Sequence, residues 1–179
     1  IYNNSINFWE NKYGSKKFKG TIFLETSSTK VHNKQLGFKH INKDWGHENW
    51  KKLINKIKDR FLIIHSVHEN TQLIENIFAP KNINFRLACA IMNKCHIYLG
   101  PEGGFGHVAA ALRKKAVIYF GGWITPDVIG YDFHNNIYFN HPSSPCGVIG
   151  SICEHCNLAR KKISVETMER NIETVFEKI

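Results

Sequence analysis

The chain predicts an α/β fold: a parallel, Rossmann-like sheet with helices packed on both faces. Three observations carry that expectation. Short apolar runs rich in β-branched residues alternate with segments of helical period along most of the 179 residues, which is the pattern of βαβ units. The strand-like runs are largely apolar, as strands covered on both faces are. The polar loops follow those runs, where ligands bind in sheets of this kind.

Each element can be justified in turn. "GTIFLE" is the first strand, and it runs into the polar loop "TSSTKVHNKQLGFKHINKDW". From Glu48 onward, Trp50, Leu53, Ile54 and Ile57 recur at the spacing of one helix face. "RFLIIHSV" reads as a buried strand. "NFRLACAIMNK" is a helix with Asn84 as its N-cap and Leu87, Ala88 and Ile91 turned inward. "CHIYLG" is a strand, "FGHVAAALRKK" a helix and "AVIYFGG" a strand again. A loop rich in Gly, Pro, Asp and Asn leads to "NIYFN", a short strand. The last helix starts after Ser164, with Val165, Met168, Ile172, Val175 and Phe176 on one face. Residues 1–20 read as a tail or interdomain segment and 21–179 as the domain. No internal repeat or low-complexity linker divides it.

An apolar fraction of 42% supports a folded core. No stretch approaches the roughly 20 apolar residues that span a bilayer, and no secretory core is present at the start. The chain begins at Ile1 rather than Met, so an upstream part is expected to be missing. The formal charge of +9 suits nucleic acid, an anionic membrane face or a phosphorylated small ligand, and equally a plain solvated lysine surface. The basic residues scatter through "KKFK", "KKLINKIK" and "LRKK" instead of forming one block, so nucleic acid is not an expected partner. The cysteine count, five, is odd; a reducing compartment without disulfides is expected.

Several residues could carry chemistry. Glu102-Gly103-Gly104 stands between a strand and a helix. Glycines there let the backbone approach a ligand, and the free amides of the next helix suit a phosphate. An ordinary tight turn has the same shape, and the stretch is neither G-x-G-x-x-G nor a Walker motif. Thr26, Ser27, Ser28, Lys30, Lys39 and Lys43 follow the first strand. They either hold a diphosphate without a metal or face solvent. Glu69, after His65, Ser66 and His68, either binds a ribose or caps the next helix. Cys146, Cys153, His155 and Cys156 have the ligand types of a zinc site. Their irregular C-x6-C-x2-C spacing favours free thiols, so no metal or other cofactor is expected.

"PEGGFGHVAAALRKKAVIYFGG" resembles the D-[TS]-G-x-x-H, AAAL and V-x-[LF]-[FY]-G signature of the ADP-heptose:lipopolysaccharide heptosyltransferases, glycosyltransferase family 9. "KDWGHENW" resembles that family's K-x-W-x-x-x-x-W/F stretch, which puts Lys43 in the place of a donor-phosphate lysine. In "HEN", Glu69 corresponds to a ribose-contacting acid, and Ile83 falls where the family packs an apolar side chain on the base. Glu102 stands where the family has Asp, and Gly103 where it has Thr or Ser. The loop between Ser28 and Lys43 is longer than in the family.

The resemblance covers roughly Thr21 to Ile179 and implies the C-terminal, donor-binding half of a GT-B enzyme. Ser27, Ser28, Lys43, Glu69, Ile83, Glu102, Gly103, Gly104 and His107 are then the expected donor contacts, with His107 facing the phosphates or bonding a neighbouring loop. The donor implied is a nucleotide-diphospho-sugar like ADP-heptose. Transfer is implied to be inverting and metal-independent, to a lipopolysaccharide or other glycan or lipid-linked acceptor. The general base is expected in an N-terminal acceptor domain outside this chain, so no catalytic residue is expected within it. The expected location is the cytoplasm, peripheral to the inner membrane face. Two other functions fit the composition: a nucleotide-sugar epimerase, or a non-catalytic module that binds RNA or anionic lipid.

Overall fold

A computed structural model of the chain describes residues 18–27, 41–68, 71–148, 151 and 153–179. Five strands form one sheet: β1 (Thr21–Leu24), β2 (Leu62–His65), β3 (Ile97–Pro101), β4 (Lys115–Tyr119) and β5 (Asn135–Ile137). All neighbours are parallel, in the order β2-β1-β3-β4-β5. The register is continuous across the centre, where Ile22 pairs with Ile63 on one side and Ile97 on the other. The helices are α1 (His47–Ile57), α2 (Phe85–Lys94), α3 (Gly104–Ala111), α4 (Pro126–Ile129), α5 (Glu154–Lys162) and α6 (Val165–Phe176), with a 3-10 turn at Ile41–Lys43.

Side chains alternate across the pleat into two cores. Ile22, Leu24, Ile97, Leu99, Val117 and Tyr119 point to one side, against Trp50, Leu53, Ile54 and Ile57 of α1 and Met168, Ile172 and Val175 of α6. Phe23, Tyr98, Ala116 and Ile118 point to the other, against Ala88, Ile91 and Met92 of α2 and Phe105 and Ala109 of α3. Both faces are thus covered, and this explains why the strands are apolar runs. The expected α/β class holds.

Local signals place the helix ends. Asn84 Oδ1 accepts a hydrogen bond from the Leu87 amide at 2.9 Å, and Ser164 Oγ accepts one from Thr167 at 3.1 Å. Each satisfies an amide that the first helical turn leaves open. The inward face of α2 is displaced from the expected one: Met92 is fully buried, while Leu87 is half-buried. Strand β5 begins at Asn135, earlier than the apolar residues of "NIYFN" indicate, because its pairing with β4 starts at Val117. Helix α5 lies where no apolar period announces one; only His155, Cys156 and Ala159 are buried in it.

Candidate functional site

The strand order turns at β1 and β3. The chain leaves β1 toward β2 on one side and then returns past β1 to form β3 on the other. Connections therefore diverge beyond the carboxyl ends of β1 and β3 and leave a crevice there. A cleft of about 680 Å³ occupies it, within the size range of small-molecule sites.

Glu25 leaves β1 into this cleft, His68 follows β2, and Glu102, Gly103 and Gly104 follow β3. Lys43 arrives from the 3-10 turn, which packs on the end of β4. A Cβ at Gly121 would lie 2.2 Å from the Asn42 carbonyl oxygen, so the missing side chain is what admits the turn. Lys43 Nζ stands 2.8 Å from Glu102 Oε1 and 4.9 Å from the centroid of the Trp123 ring. Both partners of the ion pair are nearly enclosed, their side chains 10% and 2% exposed. An ammonium held between a carboxylate and an aromatic face is positioned without being neutral in its effect: an incoming anion can share it.

Glu25 lies deeper. Its Oε2 accepts a hydrogen bond from the Tyr98 hydroxyl at 2.9 Å, and its Oε1 is 4.0 Å from His68 Nε2. Burial pushes its carboxyl up to about 8, against the lowering effects of Tyr98 and Lys43 and with a further rise from Glu102. Burial, and then Glu25, push the Tyr98 hydroxyl upward as well. His68 is lowered by burial. His65 is buried behind the site, its Nε2 2.9 Å from Thr26 Oγ1; burial first, then His47 and His68, lowers it to about 4.

Helix α3 starts at Gly104 on the cleft wall. Gly103 before it has φ 153° and ψ −161°, a region that essentially only glycine occupies. Ile83 and Phe85 also line the cleft, Phe85 being 60% exposed with its ring stacked on Phe105 at 5.6 Å. His107 is exposed at the rim, with Nδ1 3.0 Å from the Tyr131 hydroxyl.

Of the expected donor contacts, Lys43, Ile83, Glu102, Gly103, Gly104 and His107 come together on this one cleft. Ser27 is half-buried just past β1, where the cleft wall runs through Glu25 instead. Ser28 and Glu69 lie outside the described residues. Glu25, Phe85 and Trp123 have no signal in the sequence. Glu25 ends an apolar strand like any boundary acid, and Trp123 matters only because the chain brings it over Lys43.

Comparisons with known proteins bear on the fold. No family model matches the chain, and no curated protein does. Among solved structures, the dodecameric iron-containing glycosyltransferase TibC of enterotoxigenic E. coli H10407 aligns at a TM-score of 0.67 and 12% identity, over 88% of this chain and 45% of its own. TibC has also been solved in complex with ADP-D-beta-D-heptose. The fold is heptosyltransferase-like. The ADP-heptose lps heptosyltransferase II of E. coli aligns at 0.62 and 13% identity, over 99% of this chain and 53% of its own. A glycosyl transferase family 9 protein of Veillonella parvula aligns at 0.63 and 14% identity, over 99% and 52%. The chain thus spans about half the length of these heptosyltransferase-like structures.

The iron-containing neighbour calls for a test of the cysteine cluster. Ligand atoms of Cys146, Cys153, His155 and Cys156 lie within 4.8 Å of one another. Cys146 and Cys156 sulfurs are 3.2 Å apart, and His155 Nδ1 is 3.9 Å from the sulfurs of both Cys153 and Cys156. Ligands about 2.3 Å from a tetrahedral ion sit about 3.8 Å from each other. His155 Nε2 bonds the Ser144 hydroxyl, which leaves Nδ1 for the sulfurs. Gly122 has no side chain in the way; a Cβ there would sit 2.4 Å from His155 Cε1. Three thiolates and an imidazole suit zinc or iron. The donor set fits a metal, where the sequence spacing led to an expectation of free thiols.

Proposed function

We propose that this chain is the donor-binding half of an inverting GT-B glycosyltransferase that takes a nucleotide-diphospho-sugar of the ADP-heptose kind. The observation that carries this is the position of the Lys43–Glu102 pair: at the β1/β3 crevice, beside the first turn of α3, in a chain with a heptosyltransferase-like fold.

The chemistry follows from that placement. An acceptor hydroxyl attacks the anomeric carbon on the face opposite the diphosphate. The carbon–oxygen bond to the diphosphate breaks, and the nucleoside diphosphate leaves with the electron pair. A base on the acceptor-binding half takes the hydroxyl proton. The residues of this chain position the donor and stabilise the departing charge. Lys43 meets the phosphates, the open amides at the start of α3 add oriented dipoles, and Glu102 orients sugar hydroxyls. Ile83 and Phe85 offer the base an apolar wall. Cys146, Cys153, His155 and Cys156 would hold a structural metal ion, which would tie the loop to α5. The acceptor is a glycan or a lipid-linked saccharide. Among the described residues, no helix is long and apolar enough to cross a membrane.

Calorimetric titration with ADP, UDP and GDP tests this. One nucleoside diphosphate should saturate the site, and Lys43→Ala should weaken it at least about tenfold, the loss expected for a charge-assisted contact. Failure of all three to saturate would overturn the donor-site reading. A nucleotide-sugar epimerase is a second reading, favoured by the second buried carboxyl, Glu25. An epimerase would convert the sugar of the donor with no acceptor present.

A further inference from the structure

Glu25 is a polar side chain enclosed on all sides, 4% exposed, yet on the wall of the cleft. Four groups face it, from three elements. Tyr98 on β3 donates to its Oε2; Glu102 follows β3; Lys43 comes from the 3-10 turn; and His68 follows β2, 4.0 Å from Oε1. The ammonium that Glu25 meets is already 2.8 Å from Glu102. If both carboxyls were ionised around that ammonium, an arriving phosphate would meet surplus negative charge. A carboxylic acid at Glu25 removes that surplus and adds a hydrogen-bond donor.

We propose that Glu25 is a further donor-binding residue, its carboxylic acid proton on Oε1 donating a hydrogen bond to a phosphate oxygen of the nucleotide beside the Lys43–Glu102 pair. This rests on the donor-site reading above. Tyr98 fixes which oxygen is available, because its hydroxyl occupies Oε2. No bond breaks: the proton stays shared between the acid and the phosphate oxygen. Burial already favours the acid form in the free protein, with the carboxyl raised to about 8. Nucleotide binding then depends on one proton. Affinity is full below that pH and falls as the acid ionises, up to about tenfold per pH unit above it.

The test is ADP affinity between pH 7.5 and 9.5, where the nucleotide phosphates are fully ionised. In the unaltered chain it should fall at least tenfold across that range. Glu25→Gln, which keeps a donor and no charge, should bind with a flat profile, and Glu25→Ala should bind weakly throughout. A flat profile in the unaltered chain, or an equal fall in Glu25→Gln, overturns the proposal while leaving the donor site standing. No ADP binding at any pH removes the donor site and this proposal together. A second measurement needs no variant. With ¹³C-labelled glutamate, one carboxyl resonance should titrate above pH 7 and move to higher pH with ADP; a move to lower pH overturns the assignment.

Discussion

Gly104 separates a turn that packs from a turn that cradles. It is the first residue of α3 and lines the cleft, and a Cβ built on it meets no atom within 4 Å. No described residue needs that space. Gly104→Ala should therefore leave the melting temperature unchanged or slightly higher, since Ala is the better helix former by up to about 1 kcal/mol. The methyl would intrude on a phosphate seated at the helix start, so ADP affinity should fall about tenfold or more. Equal affinity in the two proteins would mark the turn as packing alone. Gly103→Ala is not the discriminating variant, because its backbone region strains any other residue by about 1–3 kcal/mol. At this scale the sequence is legible where a residue's neighbours in the chain are its neighbours in space. Gly103, Gly104 and Glu102 are adjacent, so one turn announces them. Glu25 and Trp123 are not legible, because what defines each is Lys43, brought in from a separate segment.

The elements differ in how they declare themselves. Helices α1 and α6 have a full apolar face and are evident from spacing; they pack side by side on one face of the sheet and share the surface pairs of Lys56 with Glu166 and Glu169, which solvent screens. Helix α5 shows no such face, since what it turns inward is largely ligand chemistry. Its attachment is polar. Asn42, next to Lys43, donates to the carbonyls of Val148 and Ser151 and accepts from the Cys153 amide, at 2.9–3.0 Å. Cys146 and Gly147 amides donate to the Gly122 and Trp123 carbonyls. A metal on the four ligands would thus brace the segment that carries both the lysine and its aromatic partner. Chain loaded anaerobically with zinc(II) or iron(II) should retain about one ion per chain by elemental analysis, and Cys156→Ser should retain far less. Stripping the ion should lower the melting temperature by more than about 5 °C, as a loss of a few kcal/mol does in a chain of this size. Retention of no ion by the unaltered chain would leave the cysteines as free thiols.

Over the whole molecule, two buried titratable groups set opposing limits on stability. Glu25 keeps its proton to about pH 8, whereas an unfolded Glu loses it near 4.5. Its contribution is full below pH 4.5 and is lost as pH rises to about 8. His65 takes up a proton only near pH 4, whereas an unfolded His does so near 6.5. Its contribution is full above pH 6.5 and is lost as pH falls to about 4. Between about pH 4.5 and 6.5 the two slopes oppose each other, and His68, His134 and His155, each lowered by burial, add to the loss in acid. From 6.5 to 8 the loss from Glu25 stands alone, at about 1.4 kcal/mol per pH unit. Urea unfolding of the unaltered chain should therefore show a decline from pH 6.5 to about 8. Glu25→Gln removes the ionisable group while keeping its volume and its bond to Tyr98, so it should abolish the decline and be the more stable protein above pH 8. If that variant unfolds at lower urea than the unaltered chain at pH 9, Glu25 is ionised and paired in the native state instead, and its carboxylate is part of what holds the crevice together.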